Sequence, residues 1–283
     1  MNATLGIYQF APALGDVERN LATVETAVEA AHNAGVDLLV LPELALTGYT
    51  LKDMVPAVAQ RLDSPLVRKL ASLSERVSLV AGFVEESSDY RYYNAAAYFE
   101  GGRVVHVHRK VYLPTYGMFD EYRYMASGDR IRAFNTRFGR LAMLVCEDLW
   151  HPSTAYLTAL DGASCLVGVA CSPARGAQDD IQLYSSLAWQ TLNRMYAHFF
   201  TAYVVFANRV GYEDGVGFWG GSEVVDPEGV VIARAPLFQE HFLTATLNAD
   251  RVRRARIVSP FLRDERVDLT LRELERIHRA QTE

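Results

Sequence analysis

The sequence predicts an α/β protein in which helices cover β-sheets, a sandwich rather than one fully parallel sheet. Two patterns point there. Strand–helix–strand units are mixed with runs of adjacent strands, and some strands are apolar on both faces while others alternate. No fixed-period repeat, low-complexity stretch or linker interrupts the 283 residues, so one domain over 1–283 is expected, with 248–283 as a C-terminal extension.

The elements follow in order. Thr4–Phe10 alternates and is rich in β-formers, and Ala11-Pro12 breaks it. Asp16 is placed to cap a helix whose apolar stripe is Val17, Leu21, Val24, Val28 and Ala31, with Gly35 as its stop. Val36–Leu41 reads as a buried strand, and a helix falls within Pro65–Arg76. Strands are expected at Ser78–Val84, Asn94–Phe99 and Val104–His108, then a long ordered loop over 110–129. Ile131–Phe138 and Leu141–Cys146 follow as strands, and Pro152 opens a helix up to Asp161-Gly162. Cys165–Cys171 is an apolar strand, Asp179–Phe200 a long helix and Tyr203–Asn208 a strand. Ser222–Asp226 and Val230–Arg234 make a hairpin about Pro227-Glu228-Gly229. Phe242–Leu247 is a last strand and Leu271–Ala280 a terminal helix.

Composition removes several function classes. A net charge of −6 and a pI near 5.7 argue against a surface that tracks phosphates, so no nucleic-acid partner is expected. The longest apolar runs, around Ala163–Cys171 and Phe199–Ala207, fall short of the ~20 residues that cross a bilayer. Three cysteines, at 146, 165 and 171, without a CxxC, make neither a disulfide framework nor a thiolate zinc site. A cytoplasmic location is expected. His106 and His108 share one strand face, and with no acid-rich partner motif they read as a half-exposed pair rather than metal ligands. Gly211, Gly215 and Gly217 lack the strand–GxGxxG–helix spacing of a dinucleotide site. No metal or organic cofactor is expected.

Three strand ends each carry a reactive group. Leu38–Leu41 leads to Pro42-Glu43, Val104–His108 leads to Arg109-Lys110, and Leu141–Val145 leads to Cys146-Glu147-Asp148. Taken singly, Glu43 and Lys110 are solvated charges and Cys146 a core thiol. In α/β proteins, though, sites gather at strand C-terminal ends, and an acid, an ammonium and a thiol form a complete acyl-transfer set. Cys171 also ends an apolar strand and is the rival nucleophile, but Ser172-Pro173 brings no acid.

These stretches resemble the nitrilase superfamily of carbon–nitrogen hydrolases. Leu41-Pro42-Glu43-Leu44 with Thr47-Gly48-Tyr49 is similar to its glutamate motif, Arg109–Pro114 to its lysine motif, and Val145–Trp150 to its nucleophile motif. The likeness runs on through Asn208–Gly211 and Gly220–Gly229. Leu113–Tyr124 and Cys146-Glu147-Asp148-Leu149-Trp150 look most like the glutaminase domain of glutamine-dependent NAD synthetases. The resemblance implies a four-layer αββα sandwich, commonly dimerised through helix faces into an αββα–αββα assembly. The stripe Leu187, Thr191 and Met195 would suit that contact, and the extension 248–283 would pack on a partner subunit. It also implies that Tyr49, Tyr116 and Phe119 line the pocket and that Glu121 is a second acid near the substrate. The chain departs from the synthetases in two ways. It has no phosphate-cradling Ser-Gly-Gly-x-Asp-Ser loop, and after Ser172-Pro173 it reads Ala174-Arg175-Gly176 where they carry a Gly-Lys pair.

The expected chemistry is hydrolysis of a non-peptide C–N bond through a Cys146 thioester. Glu43 is the base, Lys110 and the Glu147 amide N–H hold the oxyanion, and Ser172 and Arg175 border the outer pocket. The substrate is expected to be a small amide, carbamoyl compound or nitrile. Two rivals stand beside this reading: a glutaminase subunit feeding a separate NAD synthetase, and a catalytically dead binding protein.

Overall fold

A computed structural model describes residues 2–175 and 183–282. It begins with strand β1 (Ala3–Gln9), helix α1 (Val17–Asn33) and β2 (Leu38–Val40). A one-turn α2 (Val55–Val58) and α3 (Pro65–Leu73) precede three strands, β3 (Ser78–Glu86), β4 (Tyr92–Glu100) and β5 (Arg103–Arg109). After the long loop come β6 (Ala133–Thr136), β7 (Gly139–Val145), α4 (Pro152–Leu160), β8 (Cys165–Ala170), α5 (Tyr184–Phe200) and β9 (Tyr203–Asn208). The remainder is β10 (Val210–Glu213), β11 (Val216–Trp219), β12 (Glu223–Val225), β13 (Val231–Arg234), β14 (His241–Leu247), α6 (Ala249–Val258), α7 (Phe261–Asp264) and α8 (Val267–Thr282).

Among the described residues two six-stranded sheets form, in the orders β14-β1-β2-β3-β4-β5 and β13-β12-β9-β8-β7-β6. Each has a parallel centre, β1-β2-β3 in one and β7-β8-β9 in the other, with antiparallel flanks. Parallel neighbours need a crossover, and α1, α3, α4 and α5 supply them. Apolar side chains of both sheets, such as Ile7, Val40, Met143 and Val205, meet in one core. Val24, Val28 and Ala31 of α1 and Val67 and Leu70 of α3 cover the outer face of the first sheet. Trp189 and Tyr196 of α5 close onto the second. The layers therefore run helix, sheet, sheet, helix. Strands β8 and β9 are buried throughout, as their unbroken apolar sequence requires.

Local chemistry sets the ends of these elements. The Asp16 carboxylate accepts from Arg19 N at 3.1 Å and caps α1, and Ser64 accepts from Val67 N at 3.2 Å at the start of α3. The long helix is described from Tyr184, and the portion expected over 179–182 lies outside the described residues. The β10–β11 hairpin and α6 were not expected. Glycines at 211, 215 and 217 blur the alternation of the hairpin, and α6 is arginine-rich, burying only Val252 and Ala255. Helix α8 buries no side chain and leaves Val267, Leu271, Leu274 and Ile277 exposed, as Leu187, Met195 and Phe199 are on α5. No described helix is long and apolar enough to cross a membrane.

Candidate active site

Glu43 lies three residues past β2, in a turn where Leu44 takes φ +48°. A side chain at Gly82 of β3 would collide with the backbone of Pro42–Leu44, so only glycine lets this turn sit against the neighbouring strand. The Glu43 carboxylate is wholly buried. Its Oε1 accepts from Asn94 Nδ2 at 2.7 Å and Lys110 Nζ at 3.0 Å, and its Oε2 accepts from the Cys171 amide at 2.6 Å. Lys110 is the first residue past β5 and is also wholly buried, and its Nζ donates to Glu121 Oε1 at 2.6 Å. Glu121 comes from the loop after Lys110, in a single 3₁₀ turn, and takes a second bond from the Tyr49 hydroxyl at 2.6 Å. Its Oε2 is buried with no partner among the described residues.

Cys146 ends β7 at a sharp turn with φ +45° and begins a 3₁₀ turn through Trp150. Of the second sheet, it meets Glu43 and Lys110 of the first within electrostatic reach. Burial pushes its thiol well above the usual range, and Glu43 adds to this, while Lys110 and the Cys171 amide pull the other way. Burial also opposes the Lys110 charge, but Glu121, Glu43 and Cys146 outweigh it and hold the ammonium well above its ordinary value. Glu121 is raised, first by burial and against the pull of Lys110, with Glu43 adding to the rise. Two carboxyl groups and one ammonium thus surround the thiol.

The thiol forms the floor of an open pocket of about 210 Å³. Tyr116, Phe119, Glu147, Trp150, Ser172, Arg175, Tyr184 and Trp189 line it. The Tyr116 hydroxyl donates to Glu147 Oε2 at 2.8 Å, and burial and this carboxylate push the phenol up to about 12. Ser172 Oγ accepts from the indole N–H groups of Trp189 (2.9 Å) and Trp219 (3.1 Å). The Arg175 guanidinium lies 4.9 Å from the Phe119 ring and 5.9 Å from that of Tyr116.

Most expected site residues converge, with two corrections. Tyr49 does not line the Cys146 pocket. It stands behind Phe119, ring edge to face at 6.0 Å, because its hydroxyl is drawn to Glu121, and both Tyr49 and Glu121 border a separate cavity of about 120 Å³ rather than the Cys146 pocket. His108 is not half-exposed: its Nε2 pairs with Asp148 at 2.8 Å in the buried layer, while His106 stacks on Phe134 at 4.2 Å. The rival thiol Cys171 is buried against the Glu43 carbonyl at 3.1 Å, and it is its amide that reaches the carboxylate. Asn94, which holds Glu43, was missed; its signal is an amide inside the apolar run of β4. A larger cleft of about 560 Å³ beside β5, bordered by His106, Arg109 and Arg132, holds no nucleophile.

Residues 4–257 match the family model described as carbon-nitrogen hydrolase. The chain belongs to this family. Being a carbon–nitrogen hydrolase of the nitrilase superfamily, it is an enzyme. Over 257 residues it is 32% identical to a glutamine-dependent NAD(+) synthetase of Thermotoga maritima, covering 89% of this chain and 43% of that protein. The chain thus spans less than half the length of this curated relative. It is 27% identical to an N-carbamoylputrescine amidase of Solanum tuberosum, covering 94% of this chain and 93% of the amidase. Among solved structures, a carbon-nitrogen hydrolase from Helicobacter pylori superposes with a TM-score of 0.84 at 26% identity, covering 97% and 99% of the two chains. This hydrolase therefore has the two-sheet α/β fold of its superfamily.

Proposed function

We propose that this hydrolase cleaves a small amide through a thioester on Cys146, with Glu43 as base and Lys110 as electrophile. The supporting observation is that one buried ammonium bridges Glu43 and Glu121 within reach of a thiol at the floor of a pocket. The thiol is protonated at rest, so Glu43 takes its proton as sulfur attacks the carbonyl carbon. Lys110 and the Glu147 amide N–H hold the oxyanion. Collapse breaks the C–N bond, and Glu43 returns the proton to the leaving nitrogen, which departs as ammonia. Water then gives a proton to Glu43 and attacks the thioester. The carboxylic acid leaves, and Cys146 is restored with the proton held by Glu43. Glu121 holds Lys110 in place from the neighbouring cavity.

The pocket wall supports a slim substrate with an anionic far end, because Arg175 overhangs the mouth and a guanidinium grips a carboxylate in two-point fashion. The test is ammonia release from ω-amides with and without a terminal carboxylate, together with nitriles, N-carbamoyl amines and glutamine. Wild type should prefer the carboxylate-bearing amide, and Arg175→Ala should lose that preference. Equal preference in both proteins removes Arg175 from recognition. The likeness to the amino-terminal portion of NAD synthetases favours a second reading, a glutaminase subunit. Glutamine as the best substrate, with turnover rising when a synthetase is added, would establish that reading instead. The exposed apolar stripes of α8 and α5 support a further element of the proposal, a homodimer in which 248–283 packs on the partner subunit.

A further inference from the structure

The catalytic groups proposed above reside on two sheets, and a single buried carboxylate ties their loops together. Asp148 lies on the 3₁₀ turn that starts at Cys146, and its side chain is wholly buried. Its Oδ2 accepts from Val145 N at 3.0 Å and pairs with His108 Nε2 at 2.8 Å. Its Oδ1 accepts from Val111 N at 2.9 Å and Tyr112 N at 3.0 Å. Val145 is the residue before Cys146, and Val111 the residue after Lys110. The nucleophile turn and the lysine loop therefore share one anchor. Three of its four partners, His108 of β5 and Val111 and Tyr112 of the loop after it, belong to the segment that carries Lys110, so Asp148 reaches across to the other sheet's side rather than merely capping its own turn. Among the described residues His108, itself buried, is the one side chain that bonds the Asp148 carboxylate. Since the acceptor is a carboxylate, the ring carries its proton on Nε2.

We propose that His108 and Asp148 are positioning residues that fix the Cys146 sulfur relative to the Lys110 ammonium. The proposal rests on the hydrolase reading above. A buried carboxylate with four donors is rigid, since tilting it would leave an amide or the imidazole unpaired in the interior. His108 closes the set from one side and holds the plane of the carboxylate. Without that donor the carboxylate is free to turn, and Val145 and Val111 lose their common reference. Misplacement of reacting groups by about 1 Å is enough to cost on the order of 100-fold in rate. Neither residue touches substrate, so the effect belongs in kcat and in the reactivity of the thiol, not in substrate affinity.

The experiment compares full-length wild type with His108→Phe, which keeps a ring but removes the donor, and His108→Gln, which keeps an N–H donor. His108→Asn, too short to reach Asp148, replaces the Phe variant if that one does not fold. Two quantities are read: kcat and KM on the best amide, and the pH dependence of Cys146 alkylation by iodoacetamide, followed on the Cys146 peptide by mass spectrometry. The second needs no substrate. Among the described residues the groups facing the thiol are Glu43, Lys110 and Glu121, the Cys171 amide and thiol, the phenols of Tyr49 and Tyr116, and the Glu147 and Arg175 side chains of the pocket. All are unchanged in the variants, so a shifted profile reports their placement. We expect kcat to fall about 10- to 100-fold in His108→Phe at unchanged KM. The alkylation midpoint should rise by about one pH unit as Lys110 moves away from the sulfur. His108→Gln should recover most of both. A His108→Phe protein with the wild-type alkylation profile and kcat overturns the proposal, even if it melts at a lower temperature; so does a Gln variant no better than Phe. Wild type that alkylates normally but releases ammonia from no substrate defeats the hydrolase reading instead, and the comparison of alkylation profiles still decides the role of His108.

Discussion

Replacing a glutamate by glutamine at positions 43 and 121 is the same chemical change at two adjacent buried sites, yet the hydrogen bonds demand different outcomes. Either substitution replaces one of the two carboxyl groups gathered on the Lys110 ammonium by a neutral amide. The donors differ. Both Glu43 oxygens are occupied, one by Asn94 and Lys110 and the other by the Cys171 amide. A glutamine there must turn its N–H₂ toward one of these donors. It loses a charge-assisted bond, about 1.5–3 kcal/mol, and leaves a buried donor unpaired, roughly 1–3 kcal/mol more. Glu121 uses only Oε1, for Lys110 and Tyr49, and its Oε2 has no partner among the described residues. Glutamine keeps both bonds and places its N–H₂ where nothing donates. Glu43→Gln should therefore be less stable than Glu121→Gln by on the order of 3–5 kcal/mol, which for a chain of this size is roughly 5–8 °C in Tm. Thermal unfolding followed by circular dichroism, at one protein concentration, measures the gap. Turnover should fall strongly in both. Glu121→Gln melting as low as Glu43→Gln, or Glu43→Gln melting with wild type, would refute the donor assignment.

Three further outcomes are expected. Lys110→Arg should be nearly as inactive as Lys110→Ala, since the buried site leaves no room for a planar fork; wild-type ammonia release in the Arg variant contradicts a close oxyanion contact. Cys146→Ala should fold and be inactive while Cys171→Ala keeps turnover, because Cys171 serves Glu43 mainly through its amide; the reverse pattern in ammonia release would transfer the nucleophile to Cys171. His106 is pushed down to about 4 by burial, with His108 and Arg132 adding to it. Below pH ~6.5 the unfolded chain takes up a proton that the folded one refuses, so stability is full above that pH and declines as pH falls toward 4. With the ring partly open to solvent the loss is of order 1–2 kcal/mol. Denaturation midpoints of His106→Gln should vary less than those of wild type between pH 7 and pH 4.5, and parallel curves would disprove this.

How far the sequence discloses the molecule depends on the distance over which each feature is encoded. The α1 stripe, the Asp16 cap and the apolar β8 and β9 are local patterns, and the structure follows them. Strand ends were less legible: β4 begins at Tyr92 and β3 runs to Glu86, because pairing with a neighbour extends a strand past its apolar residues. Glu43, Lys110 and Cys146 could be singled out because each follows a strand end, and the structure brings the three together. Glu121 could not be read that way; it lies in a loop, and only family resemblance singled it out. Partners such as Asn94 for Glu43, or Asp148 for His108, are 51 and 40 residues apart, and no periodicity connects them. The placement of Tyr49 depended on a hydroxyl finding Glu121, a contact visible only after folding.

The division of the proposed catalytic set between the sheets has a kinetic consequence. Glu43 and Lys110 follow β2 and β5 of one sheet, Cys146 and the Cys171 amide follow β7 and β8 of the other, and the bonds joining them cross the central interface. Neither sheet alone carries the proposed set, so on that reading competence arises only when the two sheets dock. During refolding, ammonia release should lag behind secondary structure and appear together with burial of the inter-sheet core. On heating, activity should vanish as that seam opens, before the individual strands and helices melt. Turnover is in this sense a clock for docking, and a ligand bridging Glu43 and Cys146 would act as a clamp on the whole fold.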